Sequence, residues 1–117
     1  MANPAMTEAV YYIMLSLMEP MHGYGIMQNV EQLSGGRVRL AAGTLYGAIN
    51  TLLEKGWIVA VAGENVSEKS FSRDRGNRKK EYLITEQGKE MLQDEIDRLQ
   101  ELLENGTRIL LRQGDGK

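Results

Sequence analysis

A run of basic residues near the middle of the chain is the feature that points most directly to chemistry. Residues 69–80 carry six basic side chains against one acid, Asp74, although the 117-residue chain has a formal net charge of −2. A lysine or arginine placed against a phosphate releases condensed counterions, so such a run is typical of polyanion binding. The alternative is a solvated loop, and the surrounding elements must decide between the two. The basic residues are Lys69, Arg73, Arg75, Arg78, Lys79 and Lys80.

Residues that could support catalysis or hold a metal ion are few. One histidine and no cysteine leave little from which to build a nucleophile with its base, and they exclude a disulfide or thiolate metal site. The histidine, His22, stands beside the predicted start of a helix, where a capping or packing role is favoured over metal binding. We therefore expect no catalytic residue, no metal ion and no cofactor.

Length and composition indicate one domain, or one small domain with an appended element. The content of 42% hydrophobic and 26% charged residues is that of a globular protein. The longest apolar stretch, residues 9–18, is too short to span a bilayer, and no basic flank precedes it. We expect a cytoplasmic protein that does not contact a membrane.

Two helices and a short strand are predicted in the first third of the chain. Thr7 is a suitable N-cap for a first helix that is apolar on nearly every face over residues 9–18. Such a helix must be covered on all sides, so a second chain is expected to cover part of it. Pro20 ends this helix. A second helix is predicted over residues 24–33, and residues 37–40, which alternate with period two, are predicted to form a strand.

A third helix is predicted over residues 41–55, with Gly56 as its C-terminal stop. Its apolar stripe is formed by Leu45, Ile49, Leu52 and Leu53. The opposite face carries two glycines, each of which costs about 1 kcal/mol of helix propensity. Either the helix tolerates them, or a bulky partner must approach this face closely. The opposite face comprises Gly43, Gly47, Asn50, Thr51 and Glu54, with Tyr46 at its margin.

Two strands follow, over residues 57–62 and 80–84, and the basic run lies in the long loop between them. A loop of this length is uncommon in a compact domain unless it has a function. Three helices, a short strand and a hairpin with a charged loop predict a mainly α (α+β) winged helix-turn-helix. We assign residues 1–84 to this DNA-binding domain and residues 85–117 to a C-terminal dimerisation helix and tail.

The last helix carries a narrow apolar seam with heptad spacing, in which Gly106 occupies one position. Thr85 is its predicted cap, and the helix either breaks at residues 105–106 or continues through them. A seam on a terminal helix needs a partner, and the apolar first helix needs one too, which together predict a symmetric homodimer. The seam consists of Leu92, Ile96, Leu99, Leu103 and Leu110.

Four motifs in register make the sequence resemble the PadR family of bacterial transcriptional regulators, over about residues 7–104. They are His22-Gly23-Tyr24-Gly25-Ile26, Gly43-Thr44-Leu45-Tyr46, Leu53-Glu54-Lys55-Gly56-Trp57-Ile58, and the run from Arg78 to Gly88. The resemblance implies a dimeric winged-helix repressor with dimer contacts from the first and last helices. It also implies a small hydrophobic or phenolic effector near the dimer centre, for which the candidates are Tyr11, Met14, Leu99 and Leu103.

Two departures from the family pattern concern the effector and the wing. Some relatives carry a tryptophan on the last helix that stacks flat aromatic drugs, whereas the one tryptophan here, Trp57, begins a strand and is expected in the core. A drug-stacking role is therefore not supported. In the wing, Gly76-Asn77-Arg78-Lys79 replaces the Gly-Arg-Arg or Gly-Arg-Lys of many relatives.

The expected partner is double-stranded DNA with a pseudo-palindromic operator. In a winged helix the third helix enters the major groove and the wing reaches the flanking backbone. Thr44 and Asn50 can hydrogen-bond a base or a phosphate, and Tyr46 either contacts phosphate or packs within the domain. No arginine lies on the outer face, so direct base readout is expected to be modest. The candidates are Gly43, Thr44, Tyr46, Gly47 and Asn50 on the helix, and Arg73, Arg75, Arg78, Lys79 and Lys80 on the wing.

A second hypothesis is a protein-interaction adaptor that keeps the winged-helix scaffold but lacks specific DNA binding. The net charge of −2 and the acidic last helix are the observations in its favour. A protein that binds a small molecule without regulating a gene is a third hypothesis. Steep salt dependence of duplex binding separates a DNA-binding regulator from both.

Overall fold

A computed structural model describes residues 5–62 and 80–115 of the chain. Three strands form an antiparallel sheet of order β1-β3-β2, and the helices pack around it. This confirms the predicted winged-helix fold of the α+β class. None of the helices in these two ranges is long and apolar enough to cross a membrane. The elements are α1 (Glu8–Ser16), β1 (Met21–His22), α2 (Gly23–Leu33), α3 (Ala42–Lys55), β2 (Ile58–Ala62), β3 (Lys80–Ile84) and α4 (Glu86–Asp115).

Local capping explains where α1 and α2 begin and where α3 ends. The Val10 N–H donates to Thr7 Oγ1 (3.1 Å) at the start of α1, and the Gly25 N–H donates to His22 Nδ1 (3.1 Å) at the start of α2. His22 is therefore a helix cap, as the sequence indicated. Gly56 ends α3 in the left-handed conformation with φ of 77°, which glycine adopts without steric cost.

The predicted strand at residues 37–40 is wrong. The Val38 N–H donates to Ser34 Oγ (2.9 Å) and the Arg37 N–H donates to the Ser34 carbonyl (3.2 Å), so two backbone donors are used in a local turn. The alternation reflects burial, because Val38 and Leu40 pack against the core while the arginines between them are exposed. The third strand of the sheet is instead Met21–His22, which pairs with β3.

The core lies between the helices and the inner face of the sheet. Of the predicted α3 stripe, Leu45, Ile49 and Leu52 are buried and Leu53 is partly buried. Tyr82 and Ile84 of β3 face the same core. A buried polar link joins the first two helices, because Ser16 Oγ donates to the Tyr12 carbonyl (2.8 Å) and accepts from Asn29 Nδ2 (2.8 Å). The buried apolar residues are Ile13, Met14, Leu17, Ile26, Val30, Leu45, Ile49, Leu52, Ile58, Tyr82, Ile84 and Leu92.

The start of α4 is held tightly against the turn between α3 and β2. Thr85 Oγ1 donates to the Gly56 carbonyl (2.8 Å) and accepts from the Gly88 N–H (2.9 Å), and the Thr85 N–H donates to the Trp57 carbonyl (2.9 Å). A Cβ at Gly88 would overlap the Trp57 carbonyl oxygen and lie 2.8 Å from Ile84 Cγ1. The helix can approach this closely only because residue 88 is glycine.

One carboxylate on α4 is buried. Glu95 is 5% exposed, and its oxygens accept from Arg98 Nε (2.9 Å) and Arg98 Nη2 (2.5 Å). Hydrogen bonding from Arg98 lowers the pKa of Glu95, and a hydrogen bond from the Met6 backbone acts in the same direction. Through Met6, the Glu95 carboxylate therefore also connects α4 to the segment that precedes α1.

Replacing Glu95 with glutamine should remove part of the acid sensitivity of folding. The folded-state pKa lies below the unfolded value, so the carboxylate stabilises the fold above the unfolded pKa and loses this contribution as the pH falls through the folded pKa. We expect Glu95→Gln to lower Tm by roughly 5 °C at pH 7, and we expect the Tm values of the variant and the wild type to converge toward pH 3. Thermal melts between pH 3 and pH 7 measure this, with Glu90→Gln, an exposed carboxylate of α4, as control. A constant Tm difference over this range would contradict the role of the charge.

The last helix continues through residues 105–106 without a break, which settles the two alternatives left by the sequence. Its first three turns pack against the core through Leu92 and Ile96. From Leu99 to Arg112 every residue is exposed. The second half of α4 therefore projects from the domain with an apolar stripe that the described part of the chain does not cover.

Candidate nucleic-acid interface

The outer face of α3 is open. Gly43, Thr44, Gly47 and Asn50 are all exposed, on the side opposite to the buried stripe. A Cβ at Gly43 or Gly47 would meet no atom of the described chain within 4 Å. Internal packing therefore gives no reason for glycine at either position. The two explanations that remain are that the helix tolerates them or that a partner outside the chain needs the space.

Gly47→Ala separates these two explanations, because it should change stability and DNA affinity in opposite directions. Alanine has the higher helix propensity and meets no neighbour, so we expect a gain of up to about 1 kcal/mol in the free energy of unfolding. If α3 lies in the major groove, the added methyl should weaken operator binding, by roughly tenfold. Chemical denaturation and a binding titration measure the two effects. A stabilised variant with wild-type DNA affinity would show that the helix merely tolerates this glycine.

Tyr46 lies at the margin of the open face and packs within the domain, which is one of the two roles considered for it. A Cβ at Gly23 would overlap the Tyr46 hydroxyl and lie 2.7 Å from its Cζ atom, so the ring packs over the start of α2. The residue nevertheless remains 43% exposed. The pKa of the buried Tyr82 of β3 is raised mainly by burial and additionally by Tyr46. The margin of α3 is supported by the start of α2.

Most of the predicted wing lies outside the described residues. Arg73, Arg75, Arg78 and Lys79 belong to the stretch between residues 62 and 80, of which the structure describes nothing. Lys80 is the first residue of β3, is exposed, and pairs in register with Ala62, the last residue of β2. The chain therefore leaves and re-enters the sheet at the same end of this hairpin.

Most lysine and arginine side chains in the described part of the chain interact with another side chain of the same chain. Arg37 pairs with Glu8, Arg39 Nε lies 3.3 Å from Glu31, and similar pairs occur on α4. Lys55, at the end of α3, stands over the Trp57 ring at 5.2 Å. Within residues 5–62, no lysine or arginine lies on the outer face of α3. Among the residues assigned to that face, the one charged side chain is the acid Glu54, which is exposed.

The predicted dimerisation residues fall into two groups. Leu92 and Ile96 pack in the core of their own chain, whereas Leu99, Leu103 and Leu110 are exposed. Leu102 and Ile109, which the heptad pattern did not include, are exposed beside this stripe. Their three- and four-residue spacing to Leu99 and Gly106 is a signal that the sequence already contained.

The candidate effector residues are divided in the same way. Met14 has no exposed surface and belongs to the core. Tyr11 is partly buried against that core and makes an edge-to-face contact with Tyr12, with ring centroids 5.7 Å apart. Leu99 and Leu103 are on the exposed stripe of α4, which packs against α1 through its first turns.

A three-stranded sheet, a helix-turn-helix and an open third helix are the features of a winged-helix DNA-binding protein. The sequence profile of the transcriptional regulator PadR-like family matches residues 13–94. The chain therefore belongs to the PadR-like family, whose members are DNA-binding transcriptional regulators and not enzymes. This confirms the resemblance inferred from the motifs.

Solved structures agree with this assignment. A PadR-like transcription factor from Bacteroides fragilis is 26% identical, with a TM-score of 0.64 and coverage of 86% of this chain and 87% of that one. Two further regulators show the same fold. One, from Clostridium thermocellum, is 23% identical (TM-score 0.64; coverage 85% and 87%). The other, a PadR family regulator from Eggerthella lenta, is 22% identical (TM-score 0.59; coverage 87% and 80%). No curated protein matches the sequence significantly.

Proposed function

We propose that the protein is a homodimeric repressor that binds a pseudo-palindromic operator and is released by a small hydrophobic or phenolic effector. The observation that carries the dimer is the uncovered stripe on α4. Leu103 and Leu110 are 68% and 72% exposed, and they continue a line that begins in the core with Leu92 and Ile96. A second copy that presents the same stripe would cover it by a symmetric contact.

The proposed dimer would place two α3 helices on one DNA duplex. Each outer face, with Gly43 and Gly47 leaving space and Thr44 and Asn50 supplying hydrogen bonds, would enter a major groove. Half-sites about one helical turn apart, or a multiple of that distance, follow from the two-fold symmetry. The basic residues from Arg73 to Lys80 would contact the flanking backbone.

The proposed effector would act where α1 and α4 meet the partner. Tyr11, Leu99 and Leu103 have accessible surface for such a contact. Met14 is fully buried and is therefore not among the residues proposed to contact the effector. An effector that prefers one spacing of the two α3 helices shifts the population of the dimer toward that spacing. Release of DNA follows if the preferred spacing does not match the half-sites.

Substituting Arg75, Arg78 and Lys79 with alanine tests the wing. We expect operator affinity to fall by at least about a hundredfold at low salt, and the slope of log affinity against log salt to decrease by roughly 2.7, while the dimer persists. Fluorescence-anisotropy titrations at several salt concentrations, on the promoter region of the protein's own gene, measure both quantities.

A control with the same loss of three positive charges combines Lys89→Ala, Arg108→Ala and Arg112→Ala on α4. It should leave the salt slope nearly unchanged. Unaltered binding by the wing variant would refute its proposed role. Absence of salt-dependent duplex binding by the wild type would favour the adaptor hypothesis. Repression itself is tested with a promoter–reporter fusion, whose output should fall when the protein is co-expressed.

A further inference from the structure

Three side chains with hydrogen-bond donors belong to or contact the start of α2, because His22 caps it, Tyr24 lies in its first turn and Tyr46 reaches Gly23 from α3. Tyr24 is 63% exposed, and within the described ranges its hydroxyl has no hydrogen-bond partner. The hydroxyl of Tyr46 lies against Gly23, the residue between His22 and Tyr24. An exposed tyrosine contributes little to the core, so the position of Tyr24 is not explained by packing within the chain.

His22 completes this group through its second ring nitrogen. Its Nδ1 accepts from the Gly25 N–H, so the neutral ring carries its proton on Nε2. The residue is exposed, and Nε2 has no partner in the described part of the chain. His22 can therefore cap α2 with one nitrogen and donate a hydrogen bond outward with the other.

The electrostatic setting of the three donors distinguishes them from the wing. Arg37 and Arg39, which lie between α2 and α3, are engaged with Glu8 and Glu31, and the strand partner of His22 is the acid Glu81. Phosphate oxygens accept hydrogen bonds from neutral hydroxyl and N–H groups as well as from cations. We propose that His22, Tyr24 and Tyr46 form a phosphate-binding surface of uncharged hydrogen-bond donors that positions α3 on DNA.

The placement of the surface favours phosphate over base contacts. Tyr46 is at the margin of α3 and not at the centre of its outer face, which Gly43 and Gly47 keep free of side chains. When a helix enters the major groove, its margins face the sugar-phosphate walls. This inference rests on the proposed role of α3 as the helix that enters the groove.

The test compares Tyr24→Phe, Tyr46→Phe and their double variant with the wild type, and includes His22→Asn, which keeps a capping side chain. Tyr12→Phe on α1 is the matched control. Anisotropy titrations use the operator duplex and a random duplex, each at three salt concentrations, and thermal melts verify folding. Asn50→Ala is titrated in parallel as the probe of α3 itself.

The expected result is a loss of about fivefold to tenfold for each tyrosine variant, on both duplexes alike, with the salt slope unchanged. The double variant should lose close to the product of the two factors. Wild-type affinity of the double variant, while Asn50→Ala weakens binding, would overturn this inference and leave the role of α3 intact. Loss on the operator alone would overturn the phosphate assignment in favour of base readout. Failure of the wild type to bind either duplex would refute the proposed function together with this inference.

Discussion

Replacing Leu103 and Leu110 with glutamate is expected to convert the protein to a monomer and to lower operator affinity by at least about a hundredfold. Both leucines are exposed in the single chain, so the substitutions should leave the fold intact. In a symmetric dimer each substitution occurs twice, and each buried leucine contributes about 1.5–3 kcal/mol. The loss is therefore several kcal/mol of association energy. Sedimentation velocity and an operator titration measure the two results.

The matched control makes the same change in net charge on the opposite face of the same helix. Asn105→Glu with Arg108→Gln also lowers the net charge by two, and at about 100° per residue both positions point away from Leu103. This variant should remain dimeric and should bind the operator within a few fold of the wild type. A Leu103→Glu, Leu110→Glu protein that still sedimented as a dimer would place the interface elsewhere.

The largest expected effect on stability is that of Gly88→Ala. The added Cβ would collide with the Trp57 carbonyl oxygen, and this oxygen is held by the Thr85 N–H at 2.9 Å. Backbone atoms cannot move aside as a flexible side chain can, so α4 would have to shift from the domain. We expect a loss of roughly 3 kcal/mol in the free energy of unfolding, or about 10–20 °C in Tm. Thermal and denaturant unfolding measure it.

The same substitution at an open helical position provides the control. Gly47→Ala, which meets no neighbour, should raise the stability that Gly88→Ala lowers. Stability changes of opposite sign for the same glycine-to-alanine substitution would show that close packing, and not helix propensity, requires glycine at residue 88. If Gly88→Ala were as stable as the wild type, α4 could not start where the structure places it.

Local signals in the sequence predicted the elements closely. The caps at Thr7 and Thr85 and the stop at Gly56 bound helices whose observed limits differ little from the predicted ones. These features act over a few residues, so they can be read without knowledge of the fold. The exceptions were also local in origin. β1 is only two residues long, and the alternation at residues 37–40 came from burial beside a turn built on Ser34.

The candidate interface was predicted in part. The open face of α3 follows from helical periodicity, because the residues opposite a buried stripe must face outward. Periodicity cannot show that Tyr46 lies against Gly23, since this contact joins two helices whose relative position depends on the whole core. Periodicity also could not show that Leu92 is buried in its own domain. The heptad spacing placed it in one seam with leucines that are exposed.

By itself the sequence determined the class of fold, the family, the charged segment and the apolar lines of each helix, because composition, spacing and capping are local properties. Only the tertiary structure decided where the line along α4 passes from the core into solvent, at Leu99. It also decided that Glu95 is buried with Arg98 and that Gly88 touches the Trp57 backbone. Burial and close approach depend on which elements pack together, and residues distant in the chain set that arrangement.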